Sequence, residues 1–263
     1  MLFSRLLRAA LLGVAVVQAR PAAAQALPGT VATTGFTPSG LLSYPGPHYP
    51  GGPDSLRAQL ARLLRPANPA WVGNVFVRLR VDATGAVQQA GYLVPPPGTP
   101  AATLVRNADV RALITQVVRQ LPRWQPAPAA PGQRPQTSTF VLQLPFGRPT
   151  PAPLPYSLEE PVFELPGVPR KNGAAPTVLA LLQRRFRYPA EDLRDSRQGE
   201  VVGYYEVSET GAVENQQVVG SLSPTIDAEL LQALRTLPPA AVPPRQQGRA
   251  VRVGYVVALS LTM

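Results

Sequence analysis

Two stretches, "VRLRVDATGAV" at 77–87 and "YYEVSETGAV" at 204–213, place the glycines of two similar turns, Gly85 and Gly211, 126 residues apart. Each sets a hydrophobic run before a short polar turn that ends in Gly-Ala-Val. Upstream of the first turn, Val75, Val77, Leu79 and Val81 alternate with Asn74, Phe76, Arg78 and Arg80. That period of two marks a strand. Asp82 to Gly85 reverse the chain, Gly85 supplying the positive φ, and Val87 opens a returning strand. In the second stretch Val201, Gly203, Tyr205 and Val207 occupy the matching face before Ser208 to Gly211. From the opening glycine to the turn glycine, Gly73 to Gly85 and Gly199 to Gly211, the spacing is 12 in both.

The correspondence continues on either side. Leu56, Leu60, Leu63 and Leu64 before the first hairpin, and Val178, Leu179, Leu181 and Leu182 before the second, show near-helical spacing. Asp54 or Ser55 is expected to cap the former and Thr177 the latter. After each hairpin a second helical pattern follows. In one copy it is carried by Val110, Leu113, Ile114, Val117 and Val118. In the other it is carried by Ile226, Leu230, Leu231 and Leu234, preceded by the helix-start residues Ser223, Pro224 and Thr225. Both helices end at Leu-Pro (121–122 and 237–238), and Gly132 and Gly248 each lie ten residues past that proline. Alternating strands at 137–146 and 250–261 close each copy. Only the step from hairpin to helix differs, with ten extra residues around "PPPGTPAATL" in the first copy, read as a surface loop. The chain thus reads as an α+β protein of two tandem α-β-β-α-β modules.

The N-terminus adds a different signal. Arg5 and Arg8 precede an apolar run from Leu11 to Val17, then Pro21 and small residues through Ala26. The apolar run is shorter than the roughly 20 residues of a spanning helix, so residues 1–26 read as a secretory signal peptide. Residues 27–44 read as a flexible lead, 45–146 as the first module, 147–172 as a Pro-rich linker in extended polyproline conformation, and 173–263 as the second module. The expected location is the periplasm, with an inner-membrane anchor, and membrane contact, only if the segment stays uncleaved. With no cysteine there is no disulfide framework, and packing alone must stabilise each small core.

The net charge is +10, and 24 of the 25 basic residues are arginine. Residues 49–150 hold 11 Arg against 3 acids, whereas 171–263 hold 10 basic residues against 9 acids. No aromatic residues interleave with the arginines as a stacking platform requires, so nucleic acid is not expected as a partner. Catalysis is not expected either. His48 is the only histidine and sits among turn residues, which leaves no zinc set and no nucleophile–base pair. Glu191, Asp192 and Asp195, near Arg194 and Arg197, read as a solvated salt-bridged stretch. No Gly-x-Ser-x-Gly elbow surrounds Ser196 or Ser221. Neither a metal nor a cofactor is expected.

The second module resembles the TonB C-terminal domain. The resemblance rests on Tyr188-Pro189-Ala190, Gly199-x-Val201, Gly211, "VENQQVVGS" at 213–221, Ile226-Asp227, Leu237-Pro238 and the last strand. The Leu121 to Pro126 run with Trp124, and "YPGGPDSL" at 49–56, fit the same pattern in the first module, although Arg65-Pro66 stands where Tyr-Pro is usual. The resemblance implies a small three-stranded antiparallel sheet with helices on one face, the last strand lying beside the first. That last strand is then an edge, open to strand addition. Val251, Val253, Tyr255, Val257, Leu259 and Leu261 are expected to face the core against a helix over 226–236. Arg252, Gly254, Val256 and Ala258 are expected to lie beside an incoming strand. The implied partner is an outer-membrane TonB-dependent transporter or its TonB-box peptide, with a homodimer through edge strands as another occupant. The competing expectation is a structural or adhesive envelope protein whose modules pair edge to edge and whose basic first half holds anionic polymers.

Overall fold

The two turn glycines are locked in the same way. In the computed structural model, which describes residues 46–127, 134–147, 153–154, 159–165, 167–168 and 177–262, Gly85 has φ 82° and Gly211 has φ 86°. The Asp82 N–H donates to the Ala86 carbonyl, and the Asp82 carboxylate accepts from the N–H groups of Thr84 and Ala86. Ser208 does the same with Ala212 and Thr210 through its hydroxyl. Each turn then receives a backbone bond from the third residue after Leu-Pro begins: Trp124 N–H to the Gly85 carbonyl at 2.8 Å, Ala240 N–H to the Gly211 carbonyl at 2.8 Å. The signal segment and the lead lie outside the described residues.

The first unit comprises α1 (Gly52–Leu63), β1 (Gly73–Val81), β2 (Val87–Tyr92), α2 (Pro100–Arg106), α3 (Ala108–Arg119) and β3 (Ser138–Phe146). The second comprises α4 (Val178–Arg185), α5 (Ala190–Arg194), β4 (Gly199–Val207), β5 (Val213–Gly220), α6 (Pro224–Arg235), the short hairpin β6 (Arg245–Gln246) and β7 (Arg249–Ala250), and β8 (Val253–Leu261). The sheets run β2-β1-β3 and β5-β4-β8, all antiparallel. In both, the final strand pairs with the first, so the α+β expectation with three-stranded sheets holds.

Each sheet carries helices on one face. Val75, Val77, Leu79 and Val81 pack with Leu56 and Leu60 of α1 and with Val110, Ile114 and Val117 of α3. Val201, Tyr205 and Val207 pack with Leu182 of α4 and with Ile226, Leu230 and Leu234 of α6. Ser223 caps α6 by accepting from the Ile226 N–H, and Thr177 caps α4 by accepting from the Ala180 N–H.

The opposite faces are where the structure departs from the sequence reading. Phe76 and Val141 of the first sheet, together with Leu93, are buried against Val202, Tyr204 and Val219 of the second. The rings of Phe76 and Tyr204 lie 4.8 Å apart, and Arg78 bonds Glu200 at 2.7 Å across the junction. At one margin Ser221 N–H donates to the Val94 carbonyl at 2.9 Å. The two units therefore meet face to face, not edge to edge, in a helix–sheet–sheet–helix stack. The physical reason is that the outer rows carry large apolar side chains, Phe76 on β1 and Val202 and Tyr204 on β4, which are stable only when a second sheet covers them.

The ten-residue insertion is not a bare loop: Thr99 caps α2, Pro100 starts it, and Ala102, Leu104 and Val105 are buried, the last two within the first core. Neither Asp54 nor Ser55 caps α1. Gly51, at φ 78°, holds that place, while the Ser55 hydroxyl donates back to the Gly51 carbonyl. Asp192 is not solvated but buried, bonded by the Thr225 hydroxyl and paired with Arg197 at 2.9 Å. His48 is half-buried, its backbone pairing both ways with Gln125, and burial lowers its pKa. Lys171 and most of the Pro-rich linker lie outside the described residues.

Two measurements check this account. Gly85→Ala and Gly211→Ala would drive a Cβ to 1.9 Å and 2.4 Å from the carbonyl oxygens of Trp124 and Ala240. Each is expected to cost about 3 kcal/mol in denaturant unfolding, whereas Gly98→Ala, with its left-handed φ but open space, is expected to cost about 1 kcal/mol. The second concerns Asp192. The Thr225 hydroxyl, then Ser223 and Arg197, hold its carboxyl below the usual range against the opposing effect of burial. A depressed folded-state pKa stabilises above the ordinary carboxylate range and loses that contribution as pH falls through the folded value. Asp192→Asn is therefore expected to be less stable at neutral pH, with the gap to the natural chain closing below about pH 4 in urea titrations.

Candidate peptide-docking edge

β8 is the outermost strand of the second sheet, and its ladder with β4 is unbroken from Gly199↔Leu261 to Val207↔Val253. The β4–β5 ladder, in contrast, shifts register twice. The helix-facing side of β8 is filled as expected. Val257, Leu259 and Leu261 lie in the second core, and Tyr255 stacks on Tyr205 with centroids 5.4 Å apart. The strand begins later than the sequence suggested. Residues 249–250 belong to the β6–β7 hairpin, and Val251 donates its N–H to Pro244 before the strand starts.

The outer edge can be read from one bond. Gly254 N–H donates to the Leu154 carbonyl at 3.2 Å, on the side away from β4. In an antiparallel ladder of constant register the N–H and C=O groups alternate sides, so Val256, Ala258 and Ser260 also present theirs outward. Among the described residues, these three outward backbone pairs have no partner.

The four residues singled out from the sequence thus divide. Arg252 precedes β8 and reaches back across the sheet, bonding Glu214 at 2.8 Å and Glu206 at 3.1 Å, with Glu209 at 3.8 Å. Although burial opposes its charge, the bonds to Glu214 and Glu206 raise its pKa. Gly254 has its N–H already engaged and lies under the Tyr204 ring. Val256 and Ala258 pack their side chains on the inter-sheet cluster, and among the described residues their outer backbone groups have no partner. The site is therefore an edge of main chain, not a row of side chains.

Sequence reasoning missed the polar network that fixes this edge. Glu206 is buried at 3% exposure and accepts from the Tyr204 hydroxyl at 3.0 Å, the Asn215 amide at 2.8 Å and Arg252. Asn215 reaches it from a left-handed position, φ 53°, beside a register shift in β5. Tyr204 also shares a hydrogen bond with the Gln143 side chain of β3, tying the network to the first sheet. Buried polar groups joined in this way hold one arrangement, because any broken link leaves a costly unpaired group. The doubled tyrosine at 204–205 was the available signal: two large aromatics on opposite faces of one strand require two covered faces.

Residues 184–260 match the family model described as the Gram-negative bacterial TonB protein C-terminal. The matched segment runs from the end of α4 into β8, so the second unit carries the sequence pattern of the TonB C-terminal family. The first unit lies outside it. Two NMR solution structures of the Helicobacter pylori TonB-CTD, of a longer and a shorter segment, are also similar to this chain. The longer is 21% identical, covering 33% of this chain and 78% of that one at a TM-score of 0.26. The shorter is 18% identical, covering 32% and 88% at a TM-score of 0.24. No curated protein matches the chain. No helix among the described residues is long and apolar enough to cross a membrane.

A Cβ on Gly254 would lie 2.5 Å from the Tyr204 hydroxyl oxygen. Gly254→Val is expected to destabilise the chain by about 2 kcal/mol through overpacking. Arg252→Met is expected to cost about 1–2 kcal/mol by removing a charged donor from buried Glu206, and pairing it with Glu206→Gln should recover part of that loss in a double-mutant cycle.

Proposed function

We propose that this chain is a non-enzymatic, TonB-like periplasmic protein that captures an extended segment of an outer-membrane transporter by strand addition onto β8, in the service of energy-coupled transport. The observation that carries the reading is the open outer edge at Val256, Ala258 and Ser260 within the segment that matches the TonB C-terminal family. Backbone bonds would supply affinity, as in other strand-addition complexes, and side chains on alternate positions of the added strand would supply selectivity. Residues 45–146 are proposed as a divergent copy of the same module. Their role in this reading is to brace β8: Phe76 and Val141 support the sheet whose edge does the docking. A braced edge loses less conformational freedom when a peptide is added.

Titration of the isotope-labelled chain with a synthetic TonB-box peptide, followed by amide chemical shifts, tests the proposal. The expected result is saturable shifts centred on Val256 and Ala258. Saturable shifts confined to other surfaces, or none at millimolar peptide, would sink it.

A further inference from the structure

The start of the β8 edge is already occupied by the chain itself. Leu154 forms a parallel bridge with Val253 and accepts the Gly254 N–H at 3.2 Å. Its side chain is only 2% exposed and belongs to the first unit's core. One residue therefore plugs into one unit through its side chain and caps the other through its backbone. Glu159 and Glu160 are held as well. Glu159 exchanges two backbone bonds with Arg245, at 3.0 and 2.9 Å, and the Glu160 carboxylate accepts from the Tyr255 hydroxyl at 3.0 Å. In a parallel pairing centred on Leu154, position 153 directs its backbone away from β8, and proline there offers no N–H to a further strand.

We infer that Leu154 is a built-in stop that confines an added strand to the Val256–Ser260 part of β8, a refinement that rests on the docking reading above. Five residues of antiparallel strand span about 17 Å, so the accepted segment is short, and its register is set where it abuts Leu154. The partner this fits is an extended peptide whose pairing stretch is brief and is read from one fixed end. A long strand that zips along all of β8 does not fit. Displacement of Leu154 is disfavoured because its release would expose a buried leucine and unpair Gly254 together. The first unit would then set the length of what the second unit binds.

Amide hydrogen exchange on the full chain, with and without the TonB-box peptide, tests this. In the free chain the Gly254 amide is expected to exchange about tenfold or more slowly than those of Val256 and Ala258. With peptide, Val256 and Ala258 should become protected while Gly254 is unchanged. In Leu154→Ala, Gly254 should exchange faster and the protected footprint should extend to it. Fast Gly254 exchange in the free natural chain, or peptide protection that replaces Leu154 at Gly254, overturns the stop while leaving the docking reading intact. Slow Gly254 exchange with no peptide footprint in either chain overturns the docking reading, and the stop falls with it.

Discussion

The contact between Phe76 and Tyr204 commits both sheets at once. Each ring projects from the middle strand of its sheet, on the face turned away from the helices, and each would be exposed without the other. Around them Val141, Val202 and Val219 complete a third apolar layer. Units of this size have small cores, and a shared layer adds buried apolar surface without lengthening either unit. The layer also fixes orientation, since Arg78 meets Glu200 and Gln143 meets Tyr204 only when the central strands are stacked.

Much of the architecture was legible because it is local. The strand period at 75–81, the turn glycines, the Thr177 and Ser223 caps and the Leu-Pro stops are short-range signals, and the elements they mark formed where they stood. What was not legible depends on partners distant in sequence. Asn74, Phe76, Arg78 and Arg80 form a mixed row that does not declare which members are covered. Phe76 is buried because Tyr204 lies opposite it, and no local pattern conveys that. Asp192 looked solvated among its charged neighbours, yet Thr225, 33 residues later, brings it under the start of α6. The insertion hid α2 because Gly98 and the prolines before it resemble loop chemistry, although Thr99-Pro100 is equally good helix-start chemistry.

For β8 the alternation was legible in the sequence, while its start at Val253 and its surroundings were not. The expectation of an edge followed from topology alone. That Arg252 would turn inward to Glu206 could not follow from sequence, since Glu206 is buried only once the first sheet covers its face. That a leucine from a Pro-rich linker would occupy part of the edge also escaped notice, because a single apolar residue between prolines carries no periodicity.

Stacking the sheets has a consequence for recognition. The side chains of β8 are spent on both sides, Val257 and Leu259 on the helices and Val256 and Ala258 on the first unit. What remains for a partner is the in-plane row of N–H and C=O groups, which every extended peptide can match. A main-chain edge by itself discriminates poorly between sequences. In the docking proposed above, selectivity would come from what borders the edge: the Leu154 strap at one end, and α4, which packs beside β8 on the helix face. In the proposed docking, the covered faces would hold the edge in place and its borders would make it selective, and both properties would depend on the first unit being present.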